Sequence, residues 1–220
     1  MHSNTVSTLT LVRHGQAQPF QRESAVLTSL GEAQAANLAQ FWLRNQVRFD
    51  EVYCGLLARQ TRTEQVIAEC FRTSGQPWPP AQADAAWNEY DVAGVLRQPA
   101  PADPRLFQRM FEVAMLGWLE GDITTNGVEP WTAFRVRVSG AIGRLMEGPP
   151  GRRVAVFTSG GPIGFAVHRA LQAPARSFLD LNWRIRNGSV TEFVFDRERF
   201  TLDSFNGIAH LDDAALRTYR

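Results

Sequence analysis

Lysine is absent from this 220-residue chain; all 23 of its basic residues are arginine. That excludes Schiff-base chemistry on a protein lysine and any phosphate loop that depends on a lysine ammonium. Every cationic site falls to the guanidinium, a fixed charge whose forked donors suit phosphate and carboxylate. Cysteine is nearly missing. Cys54 and Cys70 make no CxxC and no metal-ligand spacing, so they read as two reduced thiols in or near the core. A large charge imbalance is also lacking: the formal net charge is +1, and no overall basic field recommends nucleic acid as a partner. No apolar run approaches the ~20 residues a membrane helix needs. The opening MHSNTVSTLTLVRHG has neither the basic n-region nor the long apolar h-region of a signal peptide. The expectation is a soluble, cytoplasmic protein with no membrane or nucleic-acid partner; whether it forms an oligomer stays open.

What is present fits one substantial core. At 220 residues and 44% hydrophobic content, a single domain over 1–220 is expected. Residues 7–13 (STLTLVR) read as a short strand buried on both faces. From Thr28, TSLGEAQAANLAQFWLRNQ carries Ala35, Leu38, Ala39, Trp42 and Leu43 at helical spacing, behind a capping-box pattern of Ser29 and Glu32. A second strand near FDEVYCG leads into a helix, LLARQTRTEQVIAECF, with Ala58, Val66, Ile67 and Cys70 as inward candidates. GQPWPPAQ marks a loop, followed by WNEYD. Then RRVAVFT reads as a strand, SGGPIGFAVHRALQ as a turn into a helix, and GSVTEFVFD with FTLDSFN as a hairpin. The alternation predicts an α/β three-layer sandwich, with a mostly parallel central sheet flanked by helices. Residues 95–147 interrupt it with helices near 104–120 and 131–147. They are expected to form a helical insertion over the active site, as a lid or substrate wall.

Ligands of such sheets bind at the carboxyl ends of the strands. Three strand ends carry polar or glycine residues there: Arg13-His14-Gly15, the CGLLARQT segment, and Thr158-Ser159-Gly160-Gly161. An Arg-His-Gly at such an end sets an imidazole beside a guanidinium. Arg13 would grip an anion, and His14 would act as nucleophile or base.

LVRHGQA resembles the signature of the histidine phosphatase superfamily, the phosphoglycerate mutase-like proteins. The likeness continues in order along the chain. LTSLGEAQAANLA is similar to that family's stretch after the first strand, and GLLARQTRT to its second motif, with Arg59 four residues before Thr63. WNEYD resembles the segment that supplies the acidic residue, here Glu89, and SFNGIAHL the usual ending. The resemblance implies a phosphoryl-transfer site. His14 would attack phosphorus and become a phosphohistidine, Arg13 and Arg59 would clamp the non-bridging oxygens, and Glu89 would protonate the leaving oxygen and then activate water. Two fixed-charge arginines suit a transfer that needs charge neutralisation and alignment. A small phosphorylated substrate is implied, with no cofactor and no metal. Arg62, one helical turn from Arg59, is expected to be solvated.

One position departs from the family. Its fourth motif places a second His before two glycines, and here Ser159 stands there in VFTSGGPIG. A serine donates a hydrogen bond but cannot carry charge. Losing one transition-state donor costs on the order of 3 kcal/mol, roughly 10²–10³ in rate. Ser159 and Gly160 are therefore expected to bind phosphate, with the Gly160 and Gly161 N–H groups facing the anion from a helix N-terminus. His168 lies about 10 Å along that helix at ~1.5 Å per residue, too far to substitute. His210 is an additional candidate, and Arg184 and Arg186 could add charge. Three other readings compete. A serine hydrolase would use Ser159, Asp180 or Asp203, and His210, but Phe157 occupies the first position of its Gly-x-Ser-x-Gly turn. A non-catalytic phosphate-binding module would take Ser159 as a mark of decay. A mutase would need a substrate-binding stretch that the residues after WNEYD do not resemble. Phosphatase is the preferred expectation.

Overall fold

A computed structural model describes residues 6–18, 26–91, 94–95, 104–122 and 127–219. Its six-stranded sheet comprises β1 (Ser7–Arg13), β2 (Glu51–Cys54), β3 (Ala81–Ala83), β4 (Arg153–Thr158), β5 (Val190–Phe195) and β6 (Phe200–Gly207), in the order β3-β2-β4-β1-β5-β6. β1, β2, β3 and β4 run parallel, and β5 and β6 close one side antiparallel. The helices are α1 (Ser29–Arg44), α2 (Ala58–Thr73), α3 (Pro104–Glu120), α4 (Trp131–Glu147), α5 (Gly160–Leu171) and α6 (Arg176–Asn182).

The period-two alternation of the central strands sends their side chains into two separate cores. Leu9 and Leu11 of β1, with Val154 and Val156 of β4, pack against α4 and α5 residues such as Val138, Ile142, Ile163 and Val167. Val12, Ala155 and Phe157 face the other way, onto Ala35, Leu38 and Trp42 of α1 and Ile67 and Phe71 of α2. Strands buried on both faces are mostly apolar, which is why VAVF shows no alternation of polarity and LTLV carries only Thr10 as a polar residue.

Several local expectations shift. The N-cap of α1 is Thr28 rather than Ser29: the Thr28 hydroxyl accepts from the Gly31 N–H at 3.1 Å. Glu32, freed from capping, pairs with Arg62 at 2.7 Å, so Arg62 is half-exposed and ion-paired rather than simply solvated. On α2, Val66 and Ile67 are buried as expected, but Ala58 and Cys70 are only half-buried. The inward stripe runs instead through Gln60, Thr63, Glu64, Ile67 and Phe71. The short strand β3 takes Ala81 and Gln82 from the end of the stretch read as a loop, and helix α6 lies where no element was expected. In 95–147, both helices occur near the expected bounds, but they share the core of one sheet face, with Met115 and Trp118 of α3 and Phe134 and Val138 of α4 fully buried. α4 is thus a layer of the sandwich as well as part of the expected insertion. Residues 96–103 of the Pro-rich stretch and 123–126 of the following loop lie outside the described residues.

Register brings the strand ends to one edge. Arg13 pairs with Thr158, while Cys54 pairs with both Phe157 and Ala83, so β1, β2, β3 and β4 finish side by side. The residues that follow those ends build the pocket.

Candidate active site

His14 leaves β1 with its backbone still engaged. Its N–H donates to the Thr158 carbonyl at 2.9 Å, and its carbonyl accepts from the N–H of Gly188 at 3.2 Å. The imidazole is 7% exposed. Its Nδ1 lies 2.7 Å from the Gly15 carbonyl, an atom that only accepts, so Nδ1 carries the proton and Nε2 keeps a lone pair. Nε2 accepts from the Arg59 Nε–H at 3.2 Å. Burial, then the Arg59 charge, then the Arg13 charge hold this imidazole well below its ordinary pKa, against the opposing Gly15 contact. His14 is therefore neutral at neutral pH, the form that can attack.

Gly15 and Thr63 fix the relation between this histidine and α2. The Gly15 N–H donates to the Thr63 hydroxyl at 3.1 Å, and that hydroxyl donates to the Arg59 carbonyl at 2.7 Å. A Cβ on Gly15 would fall 2.3 Å from the Gly31 carbonyl oxygen, so the close approach of α1 to this turn requires glycine. Arg13 donates through Nη1 to the Ile185 carbonyl, which ties its guanidinium to the segment before β5.

Glu89 completes the group. Both its oxygens accept from the Gly161 N–H, at 3.1 and 3.2 Å, and one also accepts from the Tyr90 N–H at 3.2 Å. Burial raises its carboxyl above the ordinary range despite those donors and the charges of Arg59 and Arg13. Its loop is held from outside by Arg137 of α4. That guanidinium bonds the carbonyls of Ala86 at 2.9 Å and Asn88 at 2.8 Å, and pairs with Glu129 at 2.5 Å.

Arg13, His14, Arg59 and Glu89 thus converge: both arginines act electrostatically on the histidine and on the glutamate. The β4 end is arranged otherwise than expected. Ser159 is fully buried, and its hydroxyl accepts from the Gln60 amide at 2.8 Å. Gly161 gives its N–H to Glu89, so the acceptor at this helix N-terminus is the protein's own carboxyl group. Gly160 packs beside it, where a Cβ would meet Asn182 Oδ1 at 2.7 Å. His210 bonds the Gly188 carbonyl through Nε2 at 2.9 Å and lies 6.2 Å from the Phe41 ring. Burial lowers its pKa to about 4, and its contact to the site runs through the backbone that holds the His14 carbonyl. Ser159 meets Gln60 and His210 meets Gly188, so a serine-hydrolase pair is not assembled. Arg184 is exposed, and Arg186 lies over the Tyr219 ring at 5.1 Å.

The family model described as histidine phosphatase superfamily (branch 1) matches residues 9–207, a span that takes in every one of these strand ends. The chain belongs to that superfamily. No curated protein matches the sequence. Among solved structures, the phosphoglycerate mutase of Bacillus anthracis superposes with a TM-score of 0.70 at 16% identity, covering 94% of this chain and 96% of its own. The α-ribazole phosphatase of Shigella flexneri gives 0.68 at 22%, covering 92% and 97%. A mycobacterial glucosyl-3-phosphoglycerate phosphatase gives 0.68 at 21%, covering 92% and 99%. At such identities the likeness is one of fold. The histidine phosphatase architecture accounts for the sheet and its helices, and among the described residues no group of three or more His, Cys, Asp and Glu is placed to hold a metal ion.

Sequence reasoning missed Gln60 and Arg137. Gln60 had a usable signal: the stripe Ile67 and Phe71, continued backwards at helical spacing, reaches Thr63 and Gln60. Arg137 had none, because its role depends on where α4 meets the loop before Glu89.

Proposed function

We propose that the protein is a metal-independent phosphomonoesterase that works through a phosphohistidine on His14 and acts on a small phosphorylated compound. The observation that carries this is the neutral His14, its Nε2 lone pair turned towards Arg59, in one pocket with a second arginine and a glutamate of raised pKa. In the first step, Nε2 attacks phosphorus and gives up the Arg59 contact as the guanidiniums of Arg13 and Arg59 turn to the non-bridging oxygens. The bond to the leaving oxygen breaks, and the Glu89 carboxyl proton passes to that oxygen to release an alcohol. In the second, the Glu89 carboxylate takes a proton from water whose oxygen attacks phosphorus. The N–P bond breaks, inorganic phosphate leaves, and both residues return to their starting forms. Fixed positive charge aimed at the transferring group supplies the electrostatic stabilisation. In this reading the 95–147 stretch backs the acid: Trp118 of α3 rests 4.8 Å from the Tyr90 ring, next to Glu89.

The test is to incubate the protein with a labelled phosphomonoester in the presence of a chelator. The expected result is release of inorganic phosphate and an acid-labile, base-stable label on the protein. His14→Ala should lose both. Wild-type turnover in that variant, or activity abolished by the chelator and restored by a divalent cation, would sink the proposal. A panel of phosphorylated metabolites then identifies the substrate, and transfer to a second hydroxyl instead of water would mark a mutase.

A further inference from the structure

Gln60 is 0% exposed, and its amide reaches three different strand-end segments at once. Its Nε2 donates to the Trp87 carbonyl at 3.0 Å, after β3, and to the Ser159 hydroxyl at 2.8 Å, after β4. Its Oε1 accepts from the Leu57 N–H at 3.2 Å, after β2. The chain makes room for it: a Cβ on Gly55 would lie 2.1 Å from Oε1. The contacts also close a ring. Two residues beyond Trp87 stands Glu89, whose oxygens are held by the Gly161 N–H, and two residues before Gly161 stands Ser159. The neighbour of Gln60 on α2 is Arg59, which touches His14.

We propose that Gln60 is a positioning residue for the Glu89 acid, and that the Gln60–Ser159 pair fills the place of the family's second imidazole as a buried strut. This rests on the phosphomonoesterase reading above. Through the ring, Gln60 sets the distance from the Glu89 carboxyl to the oxygen that leaves phosphorus, while Arg59 on the same helical turn sets the phosphoryl group. In this proposal the strut makes no contact with substrate itself; Ser159 and Gln60 are both fully buried.

A misplaced acid has a signature that general loosening lacks. A nitrophenolate leaves without a proton, whereas an alkoxide needs one, so only the alkyl ester depends on where Glu89 sits. Gln60→Met keeps nearly the same volume and deletes the amide. Its kcat/KM, which reports the steps up to phosphoenzyme formation, is compared with wild type on an alkyl phosphate and on nitrophenyl phosphate. The alkyl ester should lose ~10²-fold, the scale of a displacement near 1 Å, with the nitrophenyl ester nearly unchanged. Equal losses on both esters, or no loss on either, overturn the proposal. If Gln60→Met does not fold, Gly55→Ala replaces it, because its new Cβ displaces Oε1 and should cause the same selective loss in milder form. A non-selective effect in Gly55→Ala overturns the proposal equally. Silence of the wild type on both esters and on the metabolite panel is a separate outcome, which defeats the phosphomonoesterase reading and the positioning role with it.

Discussion

On the β1–α2 side of the pocket, each chemical group stands at the start or end of a regular element and is held by neighbouring backbone. His14 follows β1, held on the Thr158 and Gly15 carbonyls, and Arg59 sits in the first turn of α2 with Thr63 bonding its carbonyl. On the β3–β4 side, Glu89 rides on a loop after a three-residue strand, and long side chains from elsewhere hold that loop's carbonyls, Gln60 at Trp87 and Arg137 at Asn88. The first arrangement leaves short local patterns in the sequence, although its backbone partners Thr158 and Gly188 are distant along the chain. The second leaves none. In the proposed reading, burial and two cations keep the His14 nucleophile neutral, whereas burial lets Glu89 keep its proton.

The sharpest way to break this comparison is Glu89→Gln. If Glu89 is the proton donor, the variant should lose roughly 10²–10⁴-fold in kcat/KM on alkyl phosphates, the usual worth of general acid catalysis. Nitrophenyl phosphate should lose far less, and label should accumulate on His14 because water is no longer activated. Rates and quenched-label stoichiometry measure both effects. A uniform small loss on both esters would mean that the β3–β4 side carries no proton chemistry.

That contrast also explains what could be read from the sequence. RHG, the Arg59–Thr63 spacing and the two-faced strands are local patterns, and each lands where the sequence predicts. Glu89 was legible through its resemblance to a family segment, not through its spacing. The surroundings of Ser159 could not be read ahead, because burial cannot be read from one residue. A serine at a strand end before two glycines suggests a phosphate ligand, and the fold lays Gln60, 99 positions away, against it. Gly161 likewise directs its N–H to the Glu89 carboxyl group, a partner no local pattern shows. His210 was an additional candidate to stand in for the family's second histidine, and in the structure its ring bonds the Gly188 carbonyl.

The pH dependence sharpens the comparison, since the two sides titrate in opposite senses. His14 is depressed below its ordinary value by burial and then by the charges of Arg59 and Arg13, so its lone pair stays available as pH falls well below that value. Glu89 is raised above the ordinary carboxylate range by burial, so it keeps its proton to higher pH than a free carboxyl. The profile of kcat/KM on an alkyl phosphate should therefore fall on the acid side through the lowered His14 pKa, and on the alkaline side through the raised Glu89 pKa. With nitrophenyl phosphate the alkaline limb should flatten, and in Glu89→Gln it should vanish. An alkaline limb that persists in Glu89→Gln would assign it to another group.

The smallest expected effects lie at Ser159, and they test whether the buried strut is an adaptation or a scar. Ser159→His asks a fully buried site to accept an imidazole where the Gln60 amide already stands 2.8 Å from the hydroxyl. Overpacking of this kind costs about 1–3 kcal/mol of stability, read in a denaturant titration. Activity should fall with it, because the displaced amide also holds Trp87 and so the approach to Glu89. A gain of ~10²-fold, the scale of one recovered transition-state donor, would instead mark a weakened phosphatase that had lost its second imidazole. Ser159→Ala is gentler. It removes one of the three contacts of Gln60 and leaves those to Trp87 and Leu57, a change worth about 0.5–1.5 kcal/mol for a single neutral hydrogen bond. Because Nε2 keeps its bond to the Trp87 carbonyl, Glu89 should move little, and kcat/KM on the alkyl ester should drop by less than about tenfold. If Ser159 touched the transferring phosphoryl group directly, the alkyl and nitrophenyl esters would lose equally, since both transfer the same group. A small loss confined to the alkyl ester places the hydroxyl in the strut that aims the acid.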